Sequence, residues 1–229
     1  MRPHYYRQTD VALLDISTEN HFRVQCWIDG SLGAIEASIQ VILQWSLQKR
    51  GGLLVHASAG VYEKCGFLIP GPSGVGKSTV AREAGFDIVL SDEMVIVEAQ
   101  LSESISTSDI QKEMNNKESR PSISYRLFST PFWSEGRTLP ILITDAPLSQ
   151  LLFPVKAHKA KLQYCSLGTA ISKLIGAVTI YEHGKFQQRS MDTQQQASEL
   201  FDITCQLCSV TPHALLEFPK TGPWIGSLY

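Results

Sequence analysis

The chain has 229 residues, 43 % of them apolar and 18 % charged, a globular composition long enough to bury a sizeable core. Its formal net charge of −2 excludes a general nucleic-acid or polyanion binder, so any basic phosphate pocket has to be local. No apolar run approaches the ~20 residues of a membrane span. The start MRPHYYRQTD has no apolar signal core, so neither membrane nor secretion is expected and a reducing cytoplasm is the default.

In chain order, Phe22, Val24, Cys26 and Ile28 alternate with polar residues and predict a half-buried strand over 22–28. Ile35, Ile39, Ile42 and Trp45 recur at helical spacing and predict a helix that Gly51 and Gly52 stop. LLVHASA (53–59) and CGFLI (65–69) read as strands joined by a turn near Tyr62, Glu63 and Lys64. A short helix follows Lys77 and ends near Gly85, before the strands FDIVL (86–90) and MVIVE (94–98). Residues 100–121 are rich in Ser, Asn, Glu and Lys and read as a solvated excursion. ISYRLF (123–128) and LPILIT (139–144) are strand-like on either side of the loop STPFWSEGRT, and LSQLLFPV (148–155) is a further strand. Helices are expected over 166–178 and 192–208, and HALLEFP (213–219) closes as a late strand. No linker divides the chain. The expected architecture is one α/β domain over 1–229 with a mixed sheet: N-terminal strands and helix in 1–52, a nucleotide-binding core in 53–98, and the excursion.

Cysteines stand at 26, 65, 165, 205 and 208, an odd and scattered set that argues against a disulfide framework. Cys205 and Cys208 form a lone CxxC inside a predicted helix, with no second pair to complete a zinc site. Ordinary reduced thiols are expected there.

GPSGVGKST (71–79) fits G-x-x-x-x-G-K-[S/T] in full, after a strand and before a helix. A triphosphate must be held without bulky side chains intervening. Gly71, Gly74 and Gly76 let the backbone curl so that the N–H groups of Pro72's successors Ser73, Gly74, Val75 and Gly76 turn inward as a nest. The following helix aims its positive end at the same place. Lys77 adds a full charge near the β and γ phosphates, and Ser78 offers a hydroxyl to Mg²⁺. Thr79 completes the motif and reads chiefly as a helix-terminus residue. The expected ligand is ATP or another nucleoside triphosphate, with Mg²⁺.

Ser91-Asp92-Glu93 follows the apolar strand FDIVL, and carboxylates at a strand exit beside a phosphate loop serve a metal or a nucleophile. Asp92 lies only fifteen residues after Lys77, so the acidic strand is the next in sequence, unlike most motor ATPases. LLVHASA, CGFLIPGPSGVGKST and GFDIVLSDEMVIVE together resemble the HPr kinase family and its wider HPr-kinase-like relatives, specifically over 53–98 and more loosely over 123–219, where Thr130, Pro131 and Phe132 also fit. The second acidic position is Glu93 where the family has Asp, and the chain has no separate N-terminal domain of the kind full-length HPr kinases carry. In size it is similar to small stand-alone relatives that phosphorylate a serine of ribosomal precursor peptides such as lasso peptides.

That resemblance implies a P-loop fold shared with phosphoenolpyruvate carboxykinases and an ATP-dependent kinase acting on a serine of a protein or peptide. It implies Asp92 as general base, Glu93 holding Mg²⁺ directly or through water, and His56 beside Asp92, orienting acceptor or base. By itself a lone strand histidine reads as a hydrogen-bonded core residue. Arg126 and Arg137, flanking the STPFWSEG loop, are candidates to neutralise the transferred phosphoryl, and Trp133 to pack on nucleotide or peptide; surface and rim roles stand beside these. Such relatives form oligomers, so a homo-oligomer is compatible. The alternatives are a small-molecule (free serine) kinase and a nucleotide-binding hydrolase or regulator.

Overall fold

The computed structural model describes residues 4–6, 12–17, 23–28, 32–101, 123–132, 143–178 and 191–229. Near the start, β1 (His4–Tyr6), β2 (Ala12–Ser17) and β3 (Arg23–Ile28) form an antiparallel sheet in that order, and helix α1 (Leu32–Gln48) packs against β2 and β3.

The larger sheet contains β4 (Leu53–Tyr62), β5 (Cys65–Pro70), β6 (Ile88–Ser91), β7 (Met94–Leu101), β8 (Ile123–Phe128), β9 (Asp145–Lys156), β10 (Lys161–Tyr164) and β11 (His213–Phe218). Its order is β10-β11-β9-β5-β4-β7-β8, with β6 also beside β4. β9 runs parallel to β5 and β11, and the other pairings are antiparallel, so the sheet is mixed.

Two long strands are each shared between neighbours. β4 pairs with β7 through 53–56 and with β5 through 57–62. β9 pairs with β8 at its start, with β5 in its middle and with β11 over Leu151–Lys156. β4 is dense in apolar and small residues, as a strand covered on both faces must be, and β9 is buried over 151–154. β4 is buried at every position except His56 and Tyr62.

One face is covered by α3 (Leu167–Ile175) and α4 (Met191–Val210), whose Leu174, Leu200 and Leu207 pack with Val55, Leu127, Leu151 and Phe153. On a second face Val80 of α2 (Lys77–Glu83), with Ala84 just beyond it, meets Ile69, Leu152, Leu216, Phe218 and Trp224. Ser166 caps α3, its hydroxyl accepting from Thr169 N–H at 3.3 Å. Among the described residues the architecture is thus mixed α/β with a mixed sheet and four α-helices. No helix among the described residues is long and apolar enough to cross a membrane.

Several boundaries differ from the sequence expectation. β9 starts at Asp145, and Ile143 and Thr144 precede it instead of belonging to a strand over 139–144. Thr144 is occupied otherwise: its N–H donates to Ser129 Oγ and its carbonyl accepts from Ser129 N–H, each at 3.0 Å, closing the loop between β8 and β9. β7 continues to Leu101, into the stretch expected as excursion. β10 was not anticipated: Lys-Leu-Gln-Tyr has little strand character alone, and pairing with β11 makes it a strand. α1 buries Ser38, Val41, Gln44, Leu47 and Gln48, whereas Ile35 and Ile39 of the expected apolar stripe are exposed. Phe22, residues 102–121, Trp133, Arg137 and residues 139–142 lie outside the described residues.

Candidate functional site

The site is organised by three consecutive residues of β4. The carbonyl of His56 accepts from Gly71 N–H at 3.4 Å, where the glycine-rich loop leaves β5. Ala57 N–H donates to the carbonyl of Glu93 at 3.0 Å. The hydroxyl of Ser58, fully buried, donates to the carbonyl of Lys77 at 3.0 Å. One strand therefore holds the start of the loop, its end and the acidic turn. β6 and β7 both run antiparallel to β4, on either side of the turn formed by Asp92 and Glu93.

The loop has the shape its glycines allow. Gly74 and Gly76 adopt φ of +79° and +109°, the left-handed region that L side chains rarely enter. Gly76 is also crowded: a Cβ there would lie 2.4 Å from Phe218 Cζ at the end of β11. Pro72, Ser73 and Gly74 face solvent, whereas Lys77 opens α2 with only 5 % of its surface exposed. Its ammonium donates to the carbonyl of Pro72 across the loop at 3.1 Å. Ser78 and Thr79 follow in the first turn of α2 and are partly exposed; Gly71 is buried and Val75 partly so. The loop leaves the C-terminal end of β5, and the parallel strands β9 and β11 end beside it at Lys156 and Phe218. Ligands of open α/β sheets bind at this end of the strands.

The acidic turn is buttressed from behind. Ser91 Oγ donates to the carbonyl of Phe132 at 3.2 Å and accepts from Glu93 N–H at 3.3 Å. Thr130 Oγ1 donates to the carbonyl of Met94 at 2.6 Å and accepts from Phe132 N–H at 3.3 Å. The Thr-Pro-Phe element is thus the support of the turn. Asp92 is buried, with 7 % exposure, and Glu93 is partly exposed.

His56 reaches the second carboxylate of the pair, its Nε2 lying 3.2 Å from Glu93 Oε1. The register explains this: His56 is opposite Met94, and the Ala57–Glu93 bond brings residue 93 alongside. The His56 hydrogen bond holds the Glu93 carboxyl below the usual glutamate range against the opposing effect of burial, and the charges of His56 and Lys77 add to it. Burial lowers Lys77 from the usual lysine value, and the nearby Glu93 charge opposes that. Lys77, Glu93 and His56 therefore form one electrostatic group.

Arg126 is not gathered to the loop. Its guanidinium pairs with Asp145, with Nε to Oδ2 at 2.6 Å, at the opposite end of β9 from Lys156. A strand of 12 residues separates its two ends by roughly 36 Å at about 3.3 Å per residue. Cys205 and Cys208 are free thiols on α4; burial, with Cys205 and Cys165 nearby, pushes the Cys208 thiol up to about 12.

Among the described residues, no group of three or more His, Cys, Asp or Glu side chains is gathered that could hold a metal by itself. Mg²⁺ does not need one. It keeps several waters and takes one or two carboxylates plus phosphate oxygens, so the hard-oxygen donors of Ser78 and Glu93 suit it. Sequence reading missed Lys156, Ser58 and Ser91, whose side chains act on backbone groups, and Phe218, whose ring lies against Gly76; none leaves a pattern in residue spacing. No protein-family model matches the chain, and no match was found among the curated proteins.

Proposed function

We propose that this chain is an ATP-dependent kinase with an HPr-kinase-like P-loop domain, transferring a phosphoryl group to a serine hydroxyl of a protein or peptide. The observation that carries this reading is the attachment of both the glycine-rich loop and the Asp92–Glu93 turn to residues 56–58 of β4. That attachment holds the loop that would cradle a triphosphate and the acidic turn on neighbouring residues of one strand.

In this reading the loop N–H groups and Lys77 hold the β and γ phosphates, and Ser78 and Glu93 would hold Mg²⁺. The metal supplies neutralisation of charge on the phosphate oxygens. His56 orients Glu93 through its ring nitrogen. Asp92 accepts the proton of the acceptor hydroxyl as the serine oxygen bonds to the γ phosphorus and the bond to the bridging oxygen breaks, leaving ADP. Phosphoryl transfer depends mainly on positioning and charge stabilisation, so the step does not call for a strong base.

The experiment is incubation with labelled ATP and a panel of serine-bearing peptides, proteins and free serine, read by mass spectrometry, for wild type and Asp92→Asn. Acceptor phosphorylation that drops about 10²–10⁴-fold in Asp92→Asn is expected, with slow hydrolysis when acceptor is absent. Brisk phosphate release to water with no labelled acceptor would replace the kinase by a hydrolase.

A further inference from the structure

The glycine-rich loop is tied by a second lysine. Lys156, the last residue of β9, donates from Nζ to the carbonyl of Gly74 at 2.9 Å. Little else fixes that peptide. Nothing lies within 4 Å of where a Gly74 side chain would begin. The loop's own nearby bond, Val75 N–H to Pro72 O, is long at 3.5 Å. Lys156 itself stands on a firm base, since β9 and β11 stay paired to Lys156 and Phe218, and Ala157 N–H donates to Phe218 O at 2.9 Å. The same strand ends thus meet the loop twice: Phe218 against Gly76 and Lys156 on Gly74.

We infer that Lys156 is a positioning residue for the triphosphate, an inference that rests on reading the loop as its cradle. In a trans peptide the carbonyl oxygen and the N–H of the next residue point in opposite directions. Holding Gly74 O therefore keeps Val75 N–H on the other face of the peptide, toward the Pro72 carbonyl that also accepts from Lys77, and a phosphate oxygen would take Val75 N–H over from that long 3.5 Å contact. A loop already held this way loses less conformational freedom on binding, which is the usual source of gain from pre-organisation. The exposed, Cβ-free apex would otherwise sample many peptide orientations. Lys156 does this through backbone and need not touch the nucleotide.

The test pairs calorimetric titration of Mg-ATP with amide hydrogen exchange of the segment 70–79 in the absence of nucleotide. Wild type, Lys156→Met and Lys77→Ala are compared, with Lys156→Gln as a second variant; Lys156 is exposed, so neither replacement disturbs the core. Lys156→Met is expected to weaken Mg-ATP about 5- to 20-fold, the lower range for a hydrogen bond to a charged group because this one is exposed. Exchange in 70–79 should quicken at the same time. Affinity within twofold of wild type in both Lys156 variants, while Lys77→Ala loses binding, overturns the inference. Weakened affinity with unchanged loop exchange also overturns it, since the lysine would then act on the ligand as a charge. If Lys77→Ala binds Mg-ATP as wild type does, the cradle reading itself falls instead.

Discussion

Gly76 carries two constraints at once, a backbone angle and a close neighbour. With φ at +109° and Phe218 Cζ 2.4 Å from an added Cβ, Gly76→Ala requires both strain and displacement of a packed ring. A loss of about 1–3 kcal/mol is expected, or roughly 2–4 °C of melting temperature for each kcal/mol in a chain of this size. Nucleotide affinity should fall with it. An unchanged melting curve would show that the loop is not built on Phe218. Glu93 makes a pH prediction with a definite sign. Its folded-state pKa is depressed by His56 and Lys77, so its contribution to stability is present above the ordinary glutamate value, about 4.3, and is lost as pH falls below it. Melting followed from pH 6 to 3 should show a steeper decline below about 4.5 in wild type than in Glu93→Gln. Parallel curves would mean that the contact adds nothing to stability.

Among the elements, the Asp92–Glu93 turn depends on a segment about forty residues later in the chain. Thr130 Oγ1 serves both Met94 O and Phe132 N–H. Thr130→Val keeps the shape and leaves both backbone groups without that partner, so about 1–3 kcal/mol of stability should go. Transfer should fall more than Mg-ATP affinity, because the acidic turn loosens while the loop does not. Equal loss of both would assign Thr130 to general stability. This dependence was only partly legible in the sequence. The order of β4, β5, α2, β6 and β7 came from apolar runs, glycines and the loop motif, all local signals. In α1 the apolar spacing locates the helix, but periodicity weighs only hydrophobicity and does not show that polar residues share its buried face. Gln44 Oε1 accepts from Leu54 N–H at 2.8 Å, and Gln48 Nε2 donates to Glu199 Oε2 at 2.6 Å, so polar pairing with β4 and α4 sets the orientation of the helix. β10 was invisible because its partner, β11, supplies the reason for it. The glycines and Lys77 were legible because chemistry demands those residue types at that spacing. Lys156 and Ser58 were not, since each acts on a backbone carbonyl.

For the whole molecule, the net charge of −2 means that no global field draws a polyphosphate in. In the proposed reading, affinity has to come from the loop, Lys77 and the carboxylates that would seat a magnesium ion, all held by β4. The most direct measurement is thermal melting with and without Mg-ATP, for wild type and Lys77→Ala side by side. A ligand that binds only the folded state at ~100 times its dissociation constant adds about 2.7 kcal/mol, which corresponds to roughly 5–10 °C here. The account predicts that rise in wild type and its near-complete loss in Lys77→Ala, whose unliganded form still melts cooperatively. No shift in wild type with any nucleoside triphosphate at millimolar concentration, or an equal shift in both proteins, would contradict it.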